Sequence, residues 1–419
     1  TSIRGRTDRV RTPYIRFAPG LSLKYTENLP DQHAVYSDAD NQFVLYDLNK
    51  KDDSRFASAM LSFSGYFLAQ QPENVLLIEF GGGSAIACAF ASGAGHIAII
   101  EQNPDLAHIL RRHYRQPVII ENPRGFLARM DGRYDIIQVE NWGSSMPGAA
   151  ALNQDHLFTL EAFGAYWDHL TVTGVVIISR KLLLPPSDSL RLWSSAYEAL
   201  RKNGVARPGK HLALLRNFDT FTLLLSKSQL NIQRVIEFCR QKNFDPVFME
   251  GMQREMANRF NVFDAPFHFQ EINQLAAAYQ SGRQEDFFRM YLLDVAPQSD
   301  QRPFPARFLK WPKVVSLYKS LGSRFYVLLM SGEIVISVIF FEAFIVTICL
   351  LIIPLILITR RLQKPNVIQV VYFLGVGAGF MFVELYFIKS FILLVGDPVI
   401  SFTMVVSAIL IFTSLGGLW

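Results

Sequence analysis

Leu76-Leu77-Ile78-Glu79-Phe80-Gly81-Gly82-Gly83-Ser84 is an apolar run that ends in an acid and three glycines. The glycines are where chemistry could enter. Gly81 and Gly83 reach φ values that other residues avoid and let a ligand approach the backbone. A helix opening at Ser84 presents N–H groups to an anion. Glu101 lies 18 positions beyond Gly83, near the ~20 at which an acid holds ribose hydroxyls in a dinucleotide-type site. Glu140 closes another apolar run, Tyr134-Asp135-Ile136-Ile137-Gln138-Val139. Each feature also has a plainer reading. The glycines make a simple strand-to-helix turn, Glu101 is an acid at a helix start, and Glu140 is a solvated loop acid.

These groups meet only if the elements carrying them lie side by side. Apolar runs at 75–80, 96–100, 118–120, 134–139 and 174–179 read as strands. Helical patterns at 84–92, 104–114, 124–129 and 160–170 alternate with them. That alternation predicts a parallel sheet covered by helices on both faces. In such a sheet a ligand sits beyond the carboxyl ends of the strands, where Glu79, Gly81, Glu101 and Glu140 all fall. Residues 55–70 read as one helix, 187–203 as another, and 220–225 as a late strand that closes the sheet. Residues 12–50 read as a small β unit. Residues 226–324 read as helical segments and loops, with Pro303 and Pro305 marking a linker.

The composition points to lipid for the remainder. Half of the 419 residues are hydrophobic, and the mean hydropathy is +0.19. Three apolar spans at 334–358, 367–395 and 399–419 each reach the ~20 residues that cross a bilayer core. Arg360, Arg361 and Lys364 separate the first two spans, while Gly396-Asp397-Pro398 separates the last two. The positive-inside rule places the first of these loops in the cytoplasm, but Lys319 and Arg324 at the other end of the first span weaken the contrast. Glu342, Glu384 and Lys389 lie within the spans, where charge defaults to pairing or function. The net charge of +5 is scattered, with no basic tract for nucleic acid. Cys88, Cys239 and Cys349 lie far apart with no metal-binding spacing. The chain opens at Thr1 and stops at Trp419 within an apolar run, as a piece of a longer polypeptide would.

Residues 76–179 resemble the spermidine synthase (polyamine aminopropyltransferase) branch of the class I methyltransferase fold. IEFGGGSAIACAFASGAGHIAIIEQNP resembles that family's glycine motif, helix and ribose acid, and YDIIQVENWG stands where the family has YDVIIxDxxDP. LNQDHLFTLEAFGAYWDHLTVTGVVII resembles its next helix and strand. A bacterial group with this domain fused to membrane helices is the closer match. The resemblance to it runs through RFAPGLSLKYTENLP, LPPSDSLRLWSSAYEAL, ANRFN, DQRPF and YFLGVGAGFMFVELYFIKSFILLVGDPV.

The resemblance implies a seven-stranded, Rossmann-like methyltransferase-type sheet behind a small N-terminal β unit, with C-terminal transmembrane helices. The corresponding divisions are 1–55, 56–230, 231–324 and 325–419. It implies S-adenosylmethionine or its decarboxylated form as cofactor. Gly81 and Gly83 would line the cofactor's amino-acid end and Glu101 would bind its ribose, with Glu79 and Gly82 among the cofactor-binding residues. Asn122 stands where the family has an adenine-binding acid. Glu140 would be the general base for an attacking amine. Gly143 and Ser144 occupy the places of the family's second acid and proline, and Trp142 adds bulk to the same loop. The expected setting is a bacterial inner membrane, with a polyamine or other small-molecule acceptor and partner membrane subunits. Two functions follow. One is transfer of an aminopropyl or methyl group. The other is a non-catalytic relative kept as a scaffold or accessory subunit of a membrane complex.

Overall fold

The computed structural model describes residues 6–37, 40–48, 51–80, 83–142, 153–322, 332–354, 357, 367–395 and 398–418. The chain forms two compact units, Thr1–Gly332 and Glu333–Trp419.

The first unit opens with an antiparallel three-stranded sheet of β1 (Thr7–Arg11), β2 (Gln32–Ser37) and β3 (Asp40–Tyr46), in that order. The stretch expected to be one helix over 55–70 is divided. A 3-10 segment spans Lys51–Ala59, and α1 begins only at Phe63 and ends at Ala69. The cause is tertiary. Leu21 bridges Met60, and the Leu61 N–H donates to the Gly20 carbonyl at 2.7 Å. The backbone there serves a neighbouring segment and cannot also continue a helix.

The main sheet then builds by alternation: β4 (Asn74–Phe80), α2 (Ser84–Ser92), β5 (His96–Ile100), α3 (Pro104–Tyr114), β6 (Val118–Ile119), α4 (Pro123–Arg129), β7 (Tyr134–Glu140), α5 (Leu160–Asp168), β8 (Leu170–Lys181) and α6 (Asp188–Lys202). After these come β9 (Leu212–Arg216), β10 (Thr220–Ser226), α7 (Ile232–Lys242) and β11 (Asp245–Met249). The spatial order is β11-β9-β10-β8-β7-β4-β5-β6. The ladders joining β4 to β8 are parallel, and β10 runs antiparallel to both β8 and β9. This is the Rossmann-like, methyltransferase-type arrangement, extended by β11 as an eighth strand at one edge. β4 carries the pattern of a strand buried on both faces: Val75, Leu76, Leu77 and Ile78 are all fully inaccessible.

Among the described residues the first unit also holds α8 (Phe267–Gln280), α9 (Gln284–Met290) and α10 (Val314–Leu321), and α11 (Gly332–Thr347) begins at its boundary. The second unit holds the rest of α11, α12 (Val367–Val395) and α13 (Pro398–Gly417). Gly332–Leu350, Val367–Ile392 and Pro398–Gly417 are long and apolar enough to cross a membrane, with mean hydropathies of 2.4, 1.8 and 2.2. Arg360, Arg361 and Lys364, which carried the orientation argument, lie outside the described residues.

Candidate functional site

Strand register brings the expected groups to one end of the sheet. Phe80 of β4 pairs with Glu140 of β7, and Glu140 pairs with Ser179 of β8. Ile78 pairs with Ile100, and Ile100 with Ile119, so Glu101 and Asn122 leave their strands at the same end. Gly81 and Gly82 lie outside the described residues, as do Gly143 and Ser144. Glu79 sits in β4, and only its backbone is described.

Gly83 has φ +82° and is the residue before the first turn of α2. A side chain there would be strained by that φ. It would also collide with the Tyr114 hydroxyl and lie 3.1 Å from the Val44 carbonyl oxygen. The hydroxyl of Tyr114, at the end of α3, accepts from the Tyr46 N–H at 3.0 Å. The glycine is therefore required by packing of the chain on itself. Because Gly83 brings no side chain, no side-chain cap serves the first turn of α2.

Glu101 is 8% exposed, and its Oε1 accepts from the Asn103 N–H at 2.8 Å. Asn103 in turn caps α3 by accepting from the Asp105 N–H at 3.0 Å, with Pro104 in the first helical position. Asn122 plays the same part for α4. Its Oδ1 accepts from the N–H groups of Arg124 and Gly125 at 2.9 and 3.3 Å. Each side chain is thus partly occupied in shaping the turn it stands on.

Glu140 is 0% exposed, contrary to the solvated reading of a loop acid. The Ser84 hydroxyl donates to its Oε2, and the Gln138 amide donates to its Oε1 at 2.7 Å. Gln138 Oε1 accepts from the Tyr66 hydroxyl at 2.6 Å. Burial pushes the Glu140 carboxyl above the ordinary glutamate range, and the Ser84 hydroxyl draws it part of the way back. Burial likewise raises the neighbouring Cys88 thiol and Tyr66 phenol. Sequence reasoning passed over Ser84, Gln138 and Tyr66. The signal was there in one case: an amide in the middle of an otherwise apolar strand needs a buried partner.

Among the described residues, Trp142 Nε1, Gln154 Oε1 and Asp188 Oδ1 are buried without a hydrogen-bond partner. Trp142 and Gln154 border residues 143–152, which are outside the described residues. Asp188 opens α6, and its Oδ2 accepts from Arg180 Nε at the end of β8. Among the described residues, no group of three His, Cys, Asp or Glu side chains could hold a metal ion. A cavity of about 770 Å³ opens elsewhere, between Phe63, Phe67, Gln70, Ser92 and Arg234. Of these, Gln70 and Ser92 stand at the ends of α1 and α2 that lead into β4 and β5, Phe63 opens α1 and Arg234 lies in α7; neither Glu101 nor Asn122 lines the cavity.

No family model matches the chain, and no curated protein does. Solved structures give likenesses. A spermidine synthase from Thermotoga maritima is 17% identical with a TM-score of 0.36, over 57% of this chain and 80% of that one. A probable spermidine synthase from Corynebacterium glutamicum is 13% identical with a TM-score of 0.35, over 52% and 81%. Human methyltransferase-like protein 13, in complex with SAH, is 15% identical with a TM-score of 0.30, over 45% and 89%. The fold class itself rests on the strand order and ladder directions of this chain.

Proposed function

We propose that the protein is a membrane-anchored transferase that binds an S-adenosyl compound at the carboxyl ends of β4, β5 and β6. The observation carrying this reading is the register that sets Gly83, Glu101 and Asn122 at the ends of three adjacent parallel strands. The donor set fits the ligand. A carboxylate for ribose hydroxyls stands one strand away from an uncapped helix start, and an amide for an adenine edge stands one strand further. Gly81, Gly82 and Glu79 belong to the same proposed cradle. The bound compound, S-adenosylmethionine or its decarboxylated form, would supply a sulfonium with a carbon open to nucleophilic attack.

The acceptor in this reading is a polyamine or another small amine. Glu140 would take the amine's proton, and burial, by raising its carboxyl above the ordinary glutamate range, makes its carboxylate a stronger base. Because Glu140 is wholly buried and accepts from both Ser84 and Gln138, an acceptor would have to take the place of one of these donors. The setting we propose is a bacterial inner membrane, with further membrane subunits as partners.

One observation favours a second reading. Glu140 is locked by Ser84 and Gln138, and the Tyr114 hydroxyl packs beside Gly83. A sheet kept as a scaffold in a membrane complex would tolerate both. Calorimetry on the detergent-purified chain decides between the two. The ligands are S-adenosylmethionine, its decarboxylated form and methylthioadenosine, with Glu101→Ala as the control. Binding at about micromolar Kd that falls at least about tenfold in Glu101→Ala supports the transferase. No binding by any of the three leaves the scaffold.

A further inference from the structure

The stretch before the membrane helices contains Pro303 and Pro305, yet it is pinned to the sheet's carboxyl end by its own chemistry. Asp300 is the centre. Its carboxylate accepts two parallel bonds from Arg124, Nη1 to Oδ1 at 3.1 Å and Nη2 to Oδ2 at 3.0 Å. The Thr159 hydroxyl adds a third at 2.7 Å, and His156 Nδ1 stands 3.5 Å away. Backbone contacts flank this pair. The Leu160 N–H donates to the Gln298 carbonyl and the Asp155 N–H to the Pro303 carbonyl, both at 2.8 Å. The Asp300 N–H donates to Glu161 at 2.9 Å.

These partners sit at two helix starts and, for Asp155 and His156, at the 3-10 turn just before the second. Arg124 is in the first turn of α4, and Thr159, Leu160 and Glu161 are the cap and first turn of α5. A bidentate arginine–carboxylate pair fixes orientation as well as distance. Burial works against charge on Asp300, but His156, Thr159 and Arg124 together hold it well below the usual carboxylate range. The side chains of Arg124 and Asp300 are 18% and 23% exposed, so water screens the pair only in part.

Arg124 joins this contact to the candidate site. Its guanidinium is held by Asp300, while its backbone N–H holds Asn122 Oδ1 at 2.9 Å. We infer that residues 298–303 are a latch, in which Asp300 positions the Asn122–Arg124 turn and the start of α5 from the segment that leads into the membrane helices. The latch rests on the proposed reading in one respect: that turn is taken as the adenine edge of the S-adenosyl site. Asp300 is thus a positioning residue, acting through Arg124 from 176 positions along the chain.

The test is amide hydrogen exchange on the full chain in detergent, with and without S-adenosylmethionine, for wild type, Asp300→Asn, Asp300→Glu and Arg124→Met. The latch predicts that Asp300→Asn and Arg124→Met each speed exchange in α4 and the first turn of α5 by about tenfold, while β9 and β10 keep their protection. Asp300→Glu recovers part of the protection. Where wild type binds the ligand, Asp300→Asn weakens its Kd by about tenfold with a smaller loss in Asp300→Glu. Unchanged exchange in α4 and α5 overturns the latch, whatever happens to binding. Equal loss of protection across β9 and β10 also overturns it, since Asp300 would then support the whole unit. Faster local exchange in a chain whose wild type binds none of the three S-adenosyl ligands sustains the latch and removes the transferase reading alone.

Discussion

Glu140 holds its proton more tightly in the folded chain than an exposed glutamate does, because burial penalises the charged form. The sign of the consequence follows. An acid whose pKa is raised by folding stabilises the fold below its ordinary range and loses that contribution as the pH climbs through the raised value. Glu140→Gln carries no charge to bury. Melting curves of the full chain in detergent should show the two proteins within about 1 kcal/mol of each other at the acid end. As the pH rises above the ordinary glutamate range, wild type should fall behind Glu140→Gln. A gap that stays constant across pH would mean that folding leaves the Glu140 pKa unshifted. At this scale the sequence was informative about residue type and position and silent about contacts. Glu101 and Asn122 were legible as the residues leaving β5 and β6. Their service to the N–H groups of Asn103, Arg124 and Gly125 depends on local geometry that no spacing rule specifies.

The elements were easier to read, because strand burial and helix periodicity act over five residues or more. β4, α2, β5 and α3 fall where the apolar pattern placed them. α1 was misread at its start, since the backbone of Met60 and Leu61 is claimed by residues 20 and 21, some 40 positions earlier. β9 and β11 went unread for a related reason. Leu212–Arg216 follows a 3-10 turn directly, and β11 carries Pro246, which argues against a central strand. α1 also yields a test. Gly65 lies on Ile177 of β8, so closely that a methyl group at 65 would overlap Ile177 Cγ1 and Cδ1. Gly65→Ala should cost about 1–3 kcal/mol, as overpacking does. In an Ile177→Ala background, where both carbons are gone, the added cost should shrink toward zero, which a double-mutant cycle on thermal stability reads directly. Additive losses would show that α1 does not rest on β8 through this residue pair.

For the molecule as a whole, the chain divides into two compact units between Gly332 and Glu333. The three apolar helices bury 6%, 0% and 11% of their most apolar windows within the chain, so nearly all of that surface needs lipid or another helix. The protein should therefore stay with the membrane fraction through alkaline carbonate washing and leave it only in detergent. Release by carbonate alone would exclude membrane-spanning helices. The prolines at 303 and 305 signal a linker in composition, and such a signal says nothing about a carboxylate that finds an arginine 176 positions away.

The two ends of the main sheet have a consequence of another kind. β6 is only two residues long, and β11 carries a proline and a register shift between Pro246 and Phe248, with α8 packed against it. Neither edge offers the long, regular row of N–H and C=O groups that a strand from another chain would extend. Proteins anchored in a bilayer share a plane and meet at high local concentration. A domain held there with an open edge would be a standing seed for aggregation, and this one ends on both sides in strands unsuited to serve as a template.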